Sequence, residues 1–352
     1  MKKGSDNPSV LLVKLKHIGD ALLLTPTIAA IRKSHPDAEI TVVVRRGTEG
    51  ILAGCRDIDH LLTVAPVDSR DRSPRDVWAD IRTLLRIRSQ RFDHAFELTD
   101  GDRGRLLVGM SRARQRCANV SVYPLSAWWR IWFNRKSNSV WRELHRVEKD
   151  HQAVSDFLEL PEEIPPLQFN KSEAMVTDAV RGLKDYAVIH PGTRWPRKQW
   201  PRENWIKVGN ELLKRVSKVV ISSGPDPEER ELAKALVEAF GNDRAVSTDG
   251  QCNWAGLAGA LYGARLFVGV DTAAMHLAAA CQCPIVAIFG DSVVSQWSPW
   301  KVPSAVVHPR EFMTAEQVAA IPTREIIKRI TPEMVVTRLD DVMRDEPVNK
   351  TG

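Results

Sequence analysis

The chain has 352 residues, of which 43% are hydrophobic and 27% charged, and it carries a net charge of +6. This length predicts about two domains, and the composition excludes a collagen, a coiled coil and a disordered chain. No stretch reaches the ~18 consecutive apolar residues of a membrane span, and the start lacks the apolar core of a signal peptide. The five cysteines have neither disulfide nor zinc-site spacing, which indicates reduced thiols and a cytoplasmic protein.

In the first half of the chain, short apolar runs alternate with segments of helical periodicity. The runs predict strands at 10–15, 40–44, 60–64 and 94–98, and the periodicity predicts helices at 21–33 and 77–89. A Pro-rich run at 160–169 is the best linker candidate. Strands that alternate with helices predict parallel βαβ units and a doubly wound sheet.

The same pattern starts again after the linker. It predicts strands at 186–190, 218–222, 266–270 and 284–289, and helices at 205–215, 228–240, 254–262, 272–280 and 331–343. The sequence therefore predicts an α/β protein with similar architecture in its two halves. In such sheets, ligands bind at the carboxyl ends of strands, against the N-termini of helices.

The loop after the first predicted strand contains Lys16 and ends at Asp20, where a helix is predicted to begin. A carboxylate at this position is either a helix cap or a general base that faces a cleft. The spacing fits both interpretations equally well.

A second loop, 190–200, combines Gly192 and Thr193 with the cations Arg194, Arg197 and Lys198. Glycine lets a ligand approach the backbone, and cations beside a hydroxyl suit a phosphate. The alternative is a basic loop that is merely solvated.

A third loop follows the predicted strand 266–270 and leads into a helix through Asp271, Thr272 and Ala273. Small residues leave the free N–H groups of the helix accessible, which favours an anion, and Asp271 can accept sugar hydroxyls. His276 lies one turn into the helix, where a structural role is the more common one.

The pair Asp100 and Asp102 resembles a metal-binding Asp-x-Asp sequence, but Arg103 and Arg105 beside it repel a cation, so no metal site is predicted.

The segment 111–149, which we call the basic segment, carries nine Lys or Arg and two Glu, and thus a net charge of +7. It also contains Trp128, Trp129, Trp132 and Trp141. A basic, aromatic surface suits an anionic partner, although a core role for the tryptophans is the alternative.

Four motifs in order resemble the ADP-heptose:lipopolysaccharide heptosyltransferase family: VLLVKLKHIGDALLLTPTIAAIR (10–32), IHPGTRWPRKQWPRENW (189–205), SGPDPEE (223–229) and FVGVDTAAMHLAAACQCPIVAIFG (267–290). The similarity extends from residue 10 to about residue 343. The forms HIGD and GVDTAAMH, with the later WSPW, resemble the heptosyltransferase III branch in particular.

This resemblance implies the glycosyltransferase B fold, in which two Rossmann-like domains face each other across a cleft. The implied domains are an acceptor-binding domain at 1–165, a nucleotide-sugar-binding domain at 166–330 and a segment 331–352 whose helix returns to the first domain. It also implies an inverting transfer that needs no metal held by Asp-x-Asp and no cofactor, with ADP-heptose as the donor substrate.

The resemblance further implies a role for each matched residue. Asp20 would be the catalytic base. Lys16 and the basic-segment residues Arg130, Arg135 and Lys136 are expected to bind the acceptor, because their charge suits its phosphates. The residues implied to bind the donor are Thr193 and Lys198 for the phosphates, Glu228 for the ribose, Cys252 and Asn253 for the adenine, and Asp271, Thr272, Ala273 and His276 for the sugar and diphosphate. Ala273 departs from the Gly of many members.

The expected partners are ADP-heptose, the phosphorylated inner core of lipopolysaccharide and the anionic inner face of the inner membrane, where a cytoplasmic enzyme would bind peripherally. Nucleic acid is not an expected partner, because no nucleic-acid motif accompanies the basic segment. Two alternatives remain open: a related transferase that uses another nucleotide sugar, and a non-catalytic glycolipid-binding protein on the same fold.

Overall fold

A computed structural model describes residues 7–66, 73–120, 124–138 and 143–344. The chain divides into two compact units, Met1–Gln168 and Phe169–Gly352, close to the boundary predicted between residues 165 and 166. Each unit contains one six-stranded sheet, and all the strand pairs of both sheets are parallel. The predicted α/β fold class is confirmed. Among the described residues, we find no helix with the length and hydropathy needed to span a membrane.

The sheet of the first unit has the strand order β3-β2-β1-β4-β5-β6. Its strands are β1 (Ser9–Lys14), β2 (Glu39–Arg45), β3 (His60–Val64), β4 (His94–Glu97), β5 (Gln115–Asn119) and β6 (Arg135–Ser137). The four predicted strands are confirmed. The last two were not predicted because they are short, lie at one side of the sheet and carry polar side chains where a buried strand carries apolar ones.

The helices of the first unit include α1 (Ile18–Leu22), α2 (Thr25–Ser34), α3 (Pro74–Ser89), α4 (Asp102–Met110), α5 (Ala127–Arg130) and α6 (Arg146–Ser155), with a 3₁₀ turn at Glu49–Leu52. The single helix predicted at 21–33 is two helices in the structure. Pro26 lies in the first turn of α2, where its missing N–H removes no helical hydrogen bond.

The second unit has the strand order β12-β11-β10-β7-β8-β9. Its strands are β7 (Tyr186–His190), β8 (Lys218–Ile221), β9 (Ala245–Ser247), β10 (Leu266–Val270), β11 (Ile285–Ile288) and β12 (Ser304–Val307). The central strands β7, β8, β10 and β11 match the predictions. The outermost strands β9 and β12 were not predicted, since neither contains a long apolar run.

The helices of the second unit include α7 (Arg202–Leu212), α8 (Pro227–Phe240), α9 (Trp254–Gly263), α10 (Ala273–Ala280), α11 (Val294–Trp297), α12 (Ala315–Ala319), α13 (Thr323–Ile326) and α14 (Pro332–Arg344). Short 3₁₀ turns lie at Lys171–Glu173, Pro196–Lys198, Pro309–Glu311 and Ile327–Arg329.

The terminal helix α14 packs within the second unit. Its apolar residues Val335, Leu339 and Val342 are buried in the hydrophobic core of that unit, and Asp340 forms an ion pair with Arg215 at 2.7 Å. The resemblance implied a return of this helix to the first domain. In the structure, the apolar face of the helix packs into the core of the second unit.

In each sheet the chain first builds outward on one side of the central strand and then continues on the other side. The switch lies between β1 and β4 in the first unit and between β7 and β10 in the second. At such a switch point the loops after the two neighbouring strands diverge and leave a crevice at the carboxyl edge of the sheet. Asp20 follows β1, and the two motifs around Lys198 and Asp271 follow β7 and β10.

Candidate functional site

An ion pair joins the two loops at the switch point of the second unit. Lys198 Nζ lies 2.6 Å from Asp271 Oδ2 and also donates to the backbone oxygen of Asp271 at 3.1 Å. Asp271 is buried immediately after β10, and Lys198 closes the short 3₁₀ turn in the loop that follows β7. The structure thus brings together two residues that the sequence places in separate motifs.

The N-terminus of α10 begins directly after this ion pair. Thr272 occupies the cap position, yet its side chain caps no backbone N–H, and its buried hydroxyl has no hydrogen-bond partner among the described residues. Ala273 starts the helix, so only a methyl group stands beside the first free N–H groups. His276 is buried one turn later, with its ring centroid 6.4 Å from that of Trp297. A cation and free N–H groups at one place form a site for a multiply charged anion.

Thr193 and Glu228 line a cavity of about 660 Å³ in the second unit. Thr193 is buried, and its hydroxyl accepts a hydrogen bond from the Trp195 backbone at 3.2 Å. Glu228 is exposed in the first turn of α8. These two of the predicted donor-binding residues therefore line the same cavity.

Glu229 was not predicted, and it lies deeper in the same cavity than Glu228. Its Oε2 accepts the Gly224 N–H at 2.8 Å, and a Cβ on Gly192 would lie only 2.6 Å from its carboxyl carbon. Burial raises the pKa of Glu229. Gly192 thus makes room for a carboxylate of the protein. In the sequence, the only indication of this role was that Glu229 directly follows Glu228.

Cys252 and Asn253 are not among the residues that line this cavity. Asn253 caps α9, and its side chain accepts the Gly256 N–H at 2.8 Å. Cys252 is a half-buried free thiol next to the cap. The structure gives Asn253 a structural role and leaves a contact with adenine as a prediction.

His190, at the end of β7, is held in the neutral form. Burial lowers its pKa to about 4, its Nδ1 lies 2.9 Å from Ser222 Oγ, and its ring stacks on Phe267. At neutral pH the imidazole therefore adds no positive charge to the loop that follows it.

In the first unit, Asp20 lies in the third position of helix α1 and is 6% exposed. Its Oδ2 accepts the backbone N–H of His17 at 3.2 Å. The carboxylate therefore helps to start the helix, as the structural alternative expected, but from inside the first turn and not from the cap. Lys16 is exposed in the preceding loop.

Four buried charges form two ion pairs near Asp20, and the sequence did not reveal them. Lys14 Nζ lies 2.6 Å and 2.9 Å from the two carboxylate oxygens of Asp150, and Lys149 pairs with Asp100. Burial alone lowers the pKa of Lys14, but Asp150 and Asp20 together raise it above its usual value. The carboxylate of Asp20 thus lies in the field of a buried ammonium group.

Glu97, at the end of β4, is a buried carboxyl group whose pKa lies near neutral pH. Burial and the charge of Asp100 raise the pKa of Glu97 to about 7, although it accepts a hydrogen bond from the Thr99 N–H at 2.8 Å.

Among the described residues, no group of three or more metal-binding side chains is present. Asp102 instead accepts a hydrogen bond from the Trp129 indole at 2.9 Å.

Apart from Lys16, the residues predicted to bind the acceptor lie at the outer side of the first sheet. Arg130 ends α5, and Arg135 and Lys136 belong to the edge strand β6; all three are exposed. Trp129 and Trp132 pack against the hydrophobic core, whereas Trp128 is 63% exposed. The tryptophans are therefore divided between core and surface. Trp141 and Arg142 lie outside the described residues.

The sequence model of the protein family glycosyltransferase family 9 (heptosyltransferase) matches residues 82–321 of the chain. The chain belongs to glycosyltransferase family 9. The family predicted from the four motifs is confirmed, and this member of family 9 is a glycosyltransferase. Lipopolysaccharide heptosyltransferase 3 of Escherichia coli is 26% identical over 80% of this chain and 83% of its own length. Lipopolysaccharide heptosyltransferase 1 of Pseudomonas aeruginosa is 27% identical over 80% of this chain and 78% of its own length.

Solved structures confirm the fold of this family 9 member. The E. coli heptosyltransferase WaaC with ADP has a TM-score of 0.79 at 20% identity and covers 95% of this chain and 99% of its own. A family 9 glycosyltransferase from Veillonella parvula has a TM-score of 0.78 at 18% identity and covers 96% of this chain and 98% of its own. The predicted glycosyltransferase B fold, with two doubly wound domains, is confirmed.

The buried pair of Lys14 and Asp150 predicts a stability effect that depends on pH. Lys14→Met leaves a buried carboxylate without its cation, so we expect urea unfolding at pH 8 to show a loss of about 3–5 kcal/mol. The deficit should shrink toward pH 5, because the isolated Asp150 has a raised pKa and is protonated in the folded state. The double variant Lys14→Met/Asp150→Leu should recover most of the loss. An unchanged stability of Lys14→Met at pH 8 would contradict the assignment.

Proposed function

We propose that this family 9 glycosyltransferase transfers a heptose from ADP-heptose to a hydroxyl of the lipopolysaccharide inner core, with inversion at the anomeric carbon. The observation that carries the proposal is the ion pair of Lys198 and Asp271 at the N-terminus of α10. The similarity to lipopolysaccharide heptosyltransferases supports the reaction, and the solved structures of WaaC with ADP and with ADP-2-deoxy-2-fluoro heptose support the donor class.

In this proposal the diphosphate of the donor binds at Lys198, Thr193 and the start of α10. Thr272 offers its unpartnered hydroxyl, and Ala273 offers a backbone N–H, which an added methyl group does not remove. The diphosphate replaces Asp271 as the ion-pair partner of Lys198. The released Asp271 carboxylate then accepts hydrogen bonds from hydroxyl groups of the sugar. His276 lies on the same helix as a further contact to the sugar.

The rest of the nucleotide would be bound by carboxylates and loop residues. The ribose hydroxyls would meet Glu228 at the rim of the cavity, with the deeper Glu229 shaping its wall. The adenine would lie against Cys252 and Asn253 at the start of α9.

Asp20 would act as the general base. The acceptor oxygen attacks the anomeric carbon from the face opposite the diphosphate, its proton passes to Asp20, and the bond between the carbon and the phosphate oxygen breaks. The electron pair of that bond leaves with ADP, whose growing negative charge is stabilised by Lys198 and the α10 N–H groups.

The acceptor is proposed to bind through Lys16, Arg130, Arg135 and Lys136, whose exposed cations suit the phosphates of the inner core. Because that acceptor carries a lipid, the proposal includes peripheral binding at the cytoplasmic face of the inner membrane. It assigns no metal and no cofactor to the reaction.

The diphosphate site predicts a selective loss of affinity. We expect Lys198→Ala to weaken the binding of ADP and of ADP-heptose about ten- to hundredfold, because a charge-assisted contact contributes about 1.5–3 kcal/mol. Adenosine, which lacks phosphates, should bind with unchanged affinity. Isothermal titration of the three ligands measures this difference.

Lys234→Ala, which removes an exposed lysine of α8, is the matched control and should bind ADP normally. The double variant Lys198→Ala/Asp271→Asn tests whether Lys198 merely neutralises Asp271, and we expect it to remain weak. An equal loss of affinity for adenosine would show that Lys198 does not contact phosphate.

The role of Asp20 predicts a loss of turnover without a loss of donor binding. Asp20→Asn keeps an oxygen that accepts the His17 N–H but cannot take up the acceptor proton, so kcat should fall by about 10²–10⁴-fold. Affinity for ADP and the melting temperature should stay near the wild-type values. Asp37→Asn, at an exposed position of the same unit, is the matched control. Near-normal turnover by Asp20→Asn would contradict the assignment, and a large drop in melting temperature would favour the structural role alone.

A further inference from the structure

Helix α3 exposes a row of large apolar side chains to solvent. Trp78 is 66% exposed, Leu85 is 58% exposed, and Ile81 lies between them at 39%. Residues three or four positions apart share one face of a helix, so these three side chains form a continuous stripe. Exposed apolar residues that are clustered in this way mark an interaction surface.

The opposite face of α3 already anchors the helix to the first unit. Asp80 accepts the Ala65 N–H at 2.7 Å and pairs with Arg103 at 2.6 Å, and Thr83 donates to the backbone oxygen of Thr63 at 3.0 Å. Ile87 is buried beneath the helix. The exposed stripe is therefore not needed to hold the helix in place.

The charges on the exposed side of α3 are all positive. The exposed charged residues of this fully described helix are Arg75, Arg82, Arg86 and Arg88. Its two acidic residues, Asp76 and Asp80, are turned toward the protein and paired with arginines from neighbouring elements. A row in which arginines alternate with tryptophan and aliphatic side chains thus carries no exposed carboxylate.

Two further helices continue this surface. The strand order moves in one direction from β3 through β4, β5 and β6, so right-handed crossovers place α3, α4 and α5 on the same face of the sheet. Exposed apolar side chains occur on α4 and α5 as well, with Leu106 at 42% and Trp128 at 63%, and Ile131, directly after α5, is 77% exposed. Exposed apolar side chains therefore occur on all three helices of this side of the first unit.

We propose that Trp78, Ile81, Arg82, Leu85 and Arg86, which we call the α3 face, dock on an anionic lipid bilayer. Tryptophan and aliphatic side chains enter the boundary between headgroups and acyl chains, while guanidinium groups bind lipid phosphates. The stripe carries exposed cations and no exposed carboxylate, so its charge is complementary to that of an anionic bilayer. The inference rests on the proposed function, since a lipid-linked acceptor gives the enzyme a reason to bind a membrane.

The test is co-sedimentation of the full chain with vesicles of phosphatidylglycerol and phosphatidylcholine, and with vesicles of phosphatidylcholine alone, across a salt series. Two double variants separate the two parts of the surface: Trp78→Ser/Leu85→Ser and Arg82→Glu/Arg86→Glu. We expect the wild type to bind the anionic vesicles and to lose binding as salt rises. Each double variant should reduce the partition coefficient on the order of tenfold or more.

A matched control removes two exposed apolar residues of the second unit, Met175→Ser/Val176→Ser, and should bind vesicles like the wild type. The variant Arg130→Glu/Arg135→Glu/Lys136→Glu compares the basic segment with the α3 face. The inference is overturned if both α3 variants bind like the wild type, or if the loss occurs in the basic-segment variant alone. It is also overturned if the wild type is a dimer that Trp78→Ser/Leu85→Ser dissociates, because the face then serves a second copy of the chain.

A second measurement separates this inference from the proposed function. Heptose transfer to a delipidated, water-soluble core oligosaccharide should proceed with wild-type kcat in both α3 variants, since no bilayer is present. If the wild type itself transfers no heptose to this acceptor, the proposed function fails, whereas the vesicle experiment still decides the role of the α3 face.

Discussion

Parallel pairing of the strands is the constraint on which the rest of this molecule depends. Consecutive parallel strands need a crossover from the end of one to the start of the next, so all strands of a sheet end at the same edge. In both units the direction of building reverses beside the central strand, and the loops that follow two neighbouring strands part there. The loops that carry Asp20, Lys198 and Asp271 all leave from these two places.

The two edges share a second property, which is that each holds a close ion pair that is largely shielded from solvent. Lys198 with Asp271 in the second unit, and Lys14 with Asp150 in the first, are held within 2.6 Å. Taking a charge out of water costs several kcal/mol, and a partner offsets that cost only when the contact is close. An ion pair beside a helix N-terminus is therefore a site where a substrate phosphate can replace the carboxylate with little further desolvation. The pair in the first unit is sealed by the protein and has a different consequence: it fixes the field around Asp20.

Much of this architecture follows from local patterns in the sequence. The central strands are apolar runs that read as buried strands, and the motif loops are recognisable because Gly, Thr, Asp and Lys stand directly after such runs. The short strands β5, β6, β9 and β12 were missed because an edge position or a length of three to five residues leaves little apolar signal. Pro26 was placed correctly early in a helix, but the break in front of it was not.

Pairings between distant positions explain most of what the sequence did not predict. Lys14 and Asp150 are 136 positions apart, and no spacing rule connects them. Glu229 was passed over in favour of Glu228 because neighbouring helical residues point in different directions, and only the packing against Gly192 and Gly224 shows which one turns inward. The apolar residues of α14 predicted an amphipathic helix, but the choice of the surface that it covers is a matter of tertiary packing.

The measurement that tests the central claim most directly is a transfer reaction with a panel of donors. The wild-type enzyme is incubated with lipopolysaccharide that lacks the added heptose and with ADP-heptose, a UDP-sugar or a GDP-sugar in turn, and the product is analysed by mass and by the configuration of its new glycosidic bond. We expect transfer from ADP-heptose, with one ADP released per heptose and inversion at the anomeric carbon. Transfer from a UDP- or GDP-sugar in its place, or retention of configuration, would contradict this account.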